Sequence, residues 1–218
     1  MSPKPMKTCT HLPMISCLSP ARVRENGVHP LDVDHRDGRD WLWDRAPHAI
    51  KFTAAVKVWR RTSDGTSEQR EEDKSIALIA LHMKANGRGK VKSLRVREKE
   101  AKTLCAQLGW VRDNVDPSLI LIGDTNILKF DEPAAEVFSQ NGLIDLNSSD
   151  SATYWSRQFD EAPFDRALVA EDRAEFKYTR QYVLRSADLD QHDQLLSDHY
   201  MIKVSVKSYV DDADPREV

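Results

Sequence analysis

Asp124 and Asn126 stand two residues apart just past an apolar run, Leu119–Ile122, with Gly123 between the run and the carboxylate. A carboxylate and an amide at that spacing can hold and activate a water molecule. Four residues of related chemistry stand elsewhere at the ends of apolar stretches. His82 closes SIALIALH, Asp165 lies near the start of FDRALV, and Asp198-His199 precedes YMIKVSV. An imidazole oriented by a carboxylate can act as acid or base, or steady charge on a phosphorus centre. Carboxylates with no cysteine among them are hard oxygen donors, suited to Mg²⁺ or Mn²⁺ rather than to structural zinc. Such an ion neutralises phosphate charge and lowers the pKa of a bound water. Phosphoester hydrolysis needs these parts. Taken singly, each residue has a plainer reading as a turn, a helix cap or a hydrogen-bonded histidine. Six at the ends of four apolar stretches point to one place.

The elements that must bring them together can be read from periodicity. Leu119–Ile122 has no polar alternation, which predicts a strand buried on both faces. Gly123 lets the backbone turn or approach a neighbour closely. HAIKFTAAVKVWR (48–60) and SIALIALHM (75–83) read as strands, separated by a charged, exposed turn over 62–73 with Asp64-Gly65 as its pivot. One amphipathic helix is predicted from Ser93, as its cap, to about Val115, ended by Asp116-Pro117. Strand, helix, strand is a crossover unit of an α/β fold. Further on, a short helix at 132–140 has Pro133 in its first turn and Asn141-Gly142 at its close. Strands are predicted at 143–146, 153–155, 164–169, 178–184 and 200–206, with a loop or a helical turn or two at 189–196. Residues 26–44 read as a polar surface loop. Asp32, Asp34, His35 and Asp37 do not make a calcium loop, because Arg36 stands where the third ligand belongs and no Glu closes the set.

The totals agree with one domain. The chain has 218 residues, 40% hydrophobic and 31% charged, enough for a sizeable core. No apolar run reaches transmembrane length, and Thr8, His11, Pro13 and Ser16 interrupt the start, so the expected location is cytoplasmic. Cys9, Cys17 and Cys105 form no CxxC pair and read as free thiols. Net charge is −3, yet 84–102 holds eight basic residues against Glu98 and Glu100, a local +6. That stretch could meet phosphates. Residues 1–25 are expected to be poorly ordered, 26–207 to form the domain and 208–218 to be an acidic tail.

GDTN (123–126), FDRALV (164–169) and LSDHY (196–200), with LHMKA (81–85) upstream and RxxEA at 97–101, resemble the endonuclease/exonuclease/phosphatase superfamily, the deoxyribonuclease I-like group. The resemblance covers about residues 45–207. It implies a four-layer α/β sandwich, two mixed sheets flanked by helices, with the site at their joint edge. By the same resemblance His82 contacts the scissile phosphate, Asp124 positions or deprotonates the water, and Asn126 steadies both. Asp165 pairs with His199, and Asp198 is the metal-side carboxylate beside Asp124. Lys84 and Arg88, from the basic stretch, are expected on the substrate. The implied activity is Mg²⁺- or Mn²⁺-dependent hydrolysis of a phosphodiester, with nucleic acid as one such substrate.

The sequence also departs from the group's pattern. No strand with an Asn, and no strand ending in Gln-Glu, precedes His82. Where the deoxyribonuclease I type has Arg-Glu-Pro, this chain has Arg45-Ala46-Pro47, so the usual carboxylate partner of His82 is not in sight. The fold is expected to be N-terminally shortened, with a separate N-terminal piece or self-association covering exposed edges. The alternative is an inactive or split remnant acting as a binding module.

Overall fold

The computed structural model describes residues 23–38, 40–61, 65–86, 90–156 and 160–206. Of residues 1–25, expected to be poorly ordered, 1–22 lie outside the described residues, as do the acidic tail and Arg88, while 23–25 belong to a strand. The frame is a six-stranded mixed sheet. In chain order its strands are β1 (Val23–Pro30), β4 (His48–Arg61), β5 (Ser67–His82), β6 (Leu119–Asp124), β7 (Leu143–Asp145) and β8 (Asp165–Ala170). Their order across the sheet is β1-β4-β5-β6-β8-β7. Only β5 and β6 are parallel among these neighbours. Two small antiparallel ribbons stand apart: β2 (Arg36–Asp37) with β3 (Asp40–Trp41), and β9 (Arg180–Leu184) with β10 (Met201–Ser205).

The β5–β6 crossover carries helices α1 (Lys90–Cys105) and α2 (Leu108–Asn114), and α3 (Pro133–Gln140) packs against α1. Helix α4 (Leu189–Leu195) precedes β10, capped by the Asp188 carboxylate, which accepts from the Gln191 N–H at 2.9 Å. Every residue of β6 from Leu119 to Gly123 is buried, as an uninterrupted apolar run requires. Ile79, Leu104, Val111, Leu121, Phe138 and Leu168 meet in the same core. Full burial of such a side chain stabilises by about 1.5–3 kcal/mol. Among the described residues no helix is long and apolar enough to cross a membrane.

Three sequence expectations are corrected. Residues 26–30, expected as loop, belong to an edge strand over 23–30, paired with β4 across an irregularity between Glu25 and Val28 where Gly27 has positive φ. Leu31, Val33, Leu42 and Trp43 are buried, so the rest of 26–44 is partly core. The turn at 62–73 is shorter, because β5 already begins at Ser67 and pairs residue by residue with β4 out to Arg61. The crossover helix is two helices. Ser93 is buried in the second turn of α1 rather than capping it, and the chain turns at Ala106-Gln107. Cys105 is buried and free, and burial pushes its thiol up to about 12.

Gly123 is held by packing. Its φ is +143°, and a Cβ there would overlap the carbonyl oxygen of Leu81 on the neighbouring strand. Only glycine permits the close β5–β6 pairing just before Asp124.

Candidate functional site

Sheet register builds the site. His82 pairs with Asp124 across the parallel β5–β6 ladder, and Asp124 pairs with Asp165 across the antiparallel β6–β8 ladder. Residues opposite one another share a sheet face, so the imidazole and two carboxylates form one row at the sheet's end. His82 Nε2 lies 3.9 Å from Asp124 Oδ2. His199 enters from the turn before β10, and its Nδ1 lies 2.7 Å from Asp165 Oδ2. Four of the expected residues thus converge.

The His199–Asp165 pair is closely supported. Tyr154 bridges to His199, its ring edge-on at 5.1 Å between centroids, and Phe164 packs beside both. The Thr153 hydroxyl accepts from the Asp165 N–H at 2.7 Å. On the sheet side, the Gln181 amide accepts from the Ala167 N–H and donates to the Asp165 carbonyl, tying β9 to β8 as a strand would. Burial alone would lower the His199 pKa. The hydrogen bond and charge of Asp165, with the charges of Asp124 and Asp198, outweigh it and raise the pKa above 6.5.

Asp124 is pushed up to about 6, first by burial and then by the charge of Asp165, against the partial relief of the His199 charge and of Asn126 hydrogen bonds. Asn126 has φ +54° and is buried. Its N–H donates to Asp124 Oδ1 at 2.9 Å, and its side-chain amide donates to the Met83 carbonyl at 3.1 Å. It therefore shapes the carboxylate and the end of β5 together.

The other histidine is differently placed. Nη1 of Arg45 lies against both ring nitrogens of His82, 2.9 Å from Nε2. Burial, then the Arg45 charge, lowers the His82 pKa. The segments carrying these two residues are clamped by Glu100 on α1. One carboxylate oxygen accepts from the Trp43 N–H at 3.0 Å, the other from the Lys84 N–H at 2.9 Å. Burial raises the Glu100 pKa, opposed by those two N–H groups. Arg97, one turn earlier and fully buried, donates to the Lys84 carbonyl, Asn86 Oδ1 and Glu132.

The expected basic face is thinner than its charge count. Arg97 is an interior strut, Lys99 pairs with Asp37, and Lys102 with Glu98. Lys84, expected on the substrate, bonds Asp44 at 2.9 Å. Asp198 is half-buried beside His199, its carbonyl accepting from the Trp155 N–H at 2.8 Å. Among the described residues no group of three or more His, Cys, Asp or Glu is placed to hold a metal ion. Any cation here would rely on one or two carboxylates and on water, which is Mg²⁺-like rather than zinc-like coordination.

Sequence reasoning gave no site role to Arg45, Glu100, Tyr154 and Gln181. The Arg45-Ala46-Pro47 departure, the RxxEA string at 97–101 and the expected strand at 153–155 were the signals available for the first three.

No family model and no curated protein matches this sequence. Solved structures do match. An endonuclease/exonuclease/phosphatase family protein from Bacteroides thetaiotaomicron is 14% identical, with TM-score 0.50, over 86% of this chain and 66% of that one. The human Nocturnin catalytic domain is 17% identical, with TM-score 0.46, over 86% of this chain and 61% of that one. A 3'-5' exonuclease from Neisseria meningitidis is 14% identical, with TM-score 0.48, over 84% and 72%. The chain has the endonuclease/exonuclease/phosphatase fold, an assignment carried by the first of these. It spans 61% and 66% of the human and Bacteroides chains.

Proposed function

We propose that this protein is a phosphoester hydrolase whose site is the row His82–Asp124–Asp165 with His199. The observation that carries the reading is that row in register, with His199 Nδ1 2.7 Å from Asp165. Asp124, near pKa 6, is ionised at neutral pH yet basic enough to take a proton from an attacking water. The water oxygen bonds phosphorus as the bond to the leaving oxygen breaks. The water's proton goes to Asp124. His199, kept protonated by Asp165, gives its proton to the leaving oxygen from Nε2. His82 supports the phosphate from the other end of the row. Asp124 and Asp198 are the residues we assign to Mg²⁺ or Mn²⁺, which would supply charge neutralisation of the phosphate. A phosphodiester, nucleic acid included, is the proposed substrate class.

The test is hydrolysis of bis(p-nitrophenyl) phosphate with Mg²⁺ or Mn²⁺, beside Asp124→Ala and His199→Ala. Metal-dependent turnover lost in both variants is the expected result. A folded protein no faster than its variants would overturn the reading and favour a binding module.

A further inference from the structure

We propose that Asn86 is a positioning residue for Asp124: its side-chain amide holds Asn126 in the backbone conformation that keeps the Asn126 N–H on Asp124 Oδ1, leaving Oδ2 to meet the water. What Asp124 does there rests on the hydrolase reading; how its carboxylate is held does not.

Asn126 is buried and has φ +54°. Asparagine enters that left-handed region more readily than most side chains, but a residue stays there only where its surroundings over-determine it. The segment leaving β6 is tied accordingly. The Asp124 carbonyl accepts from the Met83 N–H at 2.9 Å, and the Thr125 N–H donates to the Phe164 carbonyl at 2.8 Å. The Asn126 N–H then donates to Asp124 Oδ1. Its carbonyl accepts from Asn86 Nδ2 at 2.9 Å, across 40 residues of chain. The carbonyl tie fixes ψ and the N–H tie fixes φ. The left-handed well is small, so losing the first lets the residue leave it and carries the second off the carboxylate.

Asn86 is in turn gripped from the interior. Its Oδ1 accepts from Arg97 Nη1 at 2.9 Å. A guanidinium only donates, so the other end of the Asn86 amide is the donor that faces Asn126. Arg97 Nη2 donates to Glu132 Oε2 at 2.8 Å, and Glu132 Oε1 accepts from the Leu128 N–H at 2.9 Å. One fully buried arginine thus holds the segment on both sides of Asn126, through Asn86 and through Glu132. A side chain at 86 that could only accept would keep Arg97 and lose Asn126. That separates a positioning amide from a plain anchor of the loop after β5.

The experiment compares the full chain with Asn86→Asp and Asn86→Ala, by amide hydrogen exchange and by steady-state hydrolysis of bis(p-nitrophenyl) phosphate with Mg²⁺ or Mn²⁺. The aspartate keeps an acceptor for Arg97 and removes the donor to Asn126. In both variants the Asn126 N–H should exchange about tenfold faster, with the amides inside β6 unchanged as the sign of an intact fold. In both, kcat should fall about ten- to a hundredfold with KM within about threefold. A plain anchor predicts losses in Asn86→Ala alone. An Asn86→Asp protein with the parent's exchange at Asn126, or with the parent's kcat, would therefore overturn the positioning role and leave hydrolysis standing. Faster exchange at Asn126 in both variants, with no turnover even by the parent, would uphold the positioning and reject the hydrolase reading.

Discussion

The two histidines at the sheet's end are the same side chain given opposite neighbours. His199 leans on Asp165 and is boxed by Tyr154 and Phe164. His82 leans on Arg45. One pKa is raised and the other lowered. His199 is thereby fitted to carry a proton, and His82 to stay neutral. Between them lies Asp124, whose pKa burial and the Asp165 charge raise to about 6 against the charge of His199. Partner, more than residue type, decides what an imidazole can do.

The largest way to break this comparison is to remove its middle member. Asp124→Asn should lower kcat by about 10⁴-fold while stabilising the fold. The wild-type carboxyl titrates at about 6 instead of 3.8, so the native state keeps a proton that the unfolded chain loses. Stability therefore falls as pH rises from about 4 to 6, by about 2–3 kcal/mol, and the asparagine variant escapes that loss. Urea unfolding at pH 5 and pH 8 checks it: the variant's advantage should be greater at pH 8. Next, Asp165→Asn should cost roughly 10²-fold in kcat and unpair His199. The wild-type rate should rise with pH as Asp124 ionises, near 6, and fall as His199 loses its proton above 6.5. In Asp165→Asn the alkaline limb should move down while the acid limb also falls, since Asp165 raises Asp124. A pH profile of kcat reads both.

Smaller effects sharpen the contrast. Arg45→Glu gives His82 the kind of neighbour His199 already has. Its pKa should rise, measured by the pH dependence of the histidine ring signals in NMR, with that of His199 nearly unmoved. Away from the row, Arg166 is fully buried between Asp145, Asp150 and the carbonyls of Asn147 and Ile127. Arg166→Met should destabilise by about 3–5 kcal/mol by stranding two partly buried carboxylates, with kcat little changed in the protein that remains folded.

What the sequence disclosed and what it hid divide along locality. An apolar run ending in a carboxylate announces a buried strand and its terminus, which is why β6, β8 and β10 and the residues Asp124, Asp165 and His199 were legible. Strand β1 was not, because VRENGVHP carries an irregularity at Gly27 and buries little of itself. Its place comes from β4's free edge rather than from its own pattern. The break between α1 and α2 falls at Ala106-Gln107, with Gly109 just beyond it as its one local mark, inside a stretch whose apolar spacing reads as a single helix. Arg97 was counted in the basic stretch and in the RxxEA string, but nothing within a turn of it reveals that Glu132 waits 35 residues on. The Arg45–His82 contact spans 37 residues and was visible only as a missing glutamate.

Gly123 carries a consequence for how sequences of this kind are compared. It sits inside the GDTN string, where any reader hunting for chemistry would credit it to the reaction. Its backbone angle and the nearness of Leu81 give a sufficient reason of another kind. A descendant that lost Asp124, and all turnover with it, would still be unable to replace this glycine. Were distant relatives to share the glycine, that would record a common architecture, and only the residue after it would bear on a common activity.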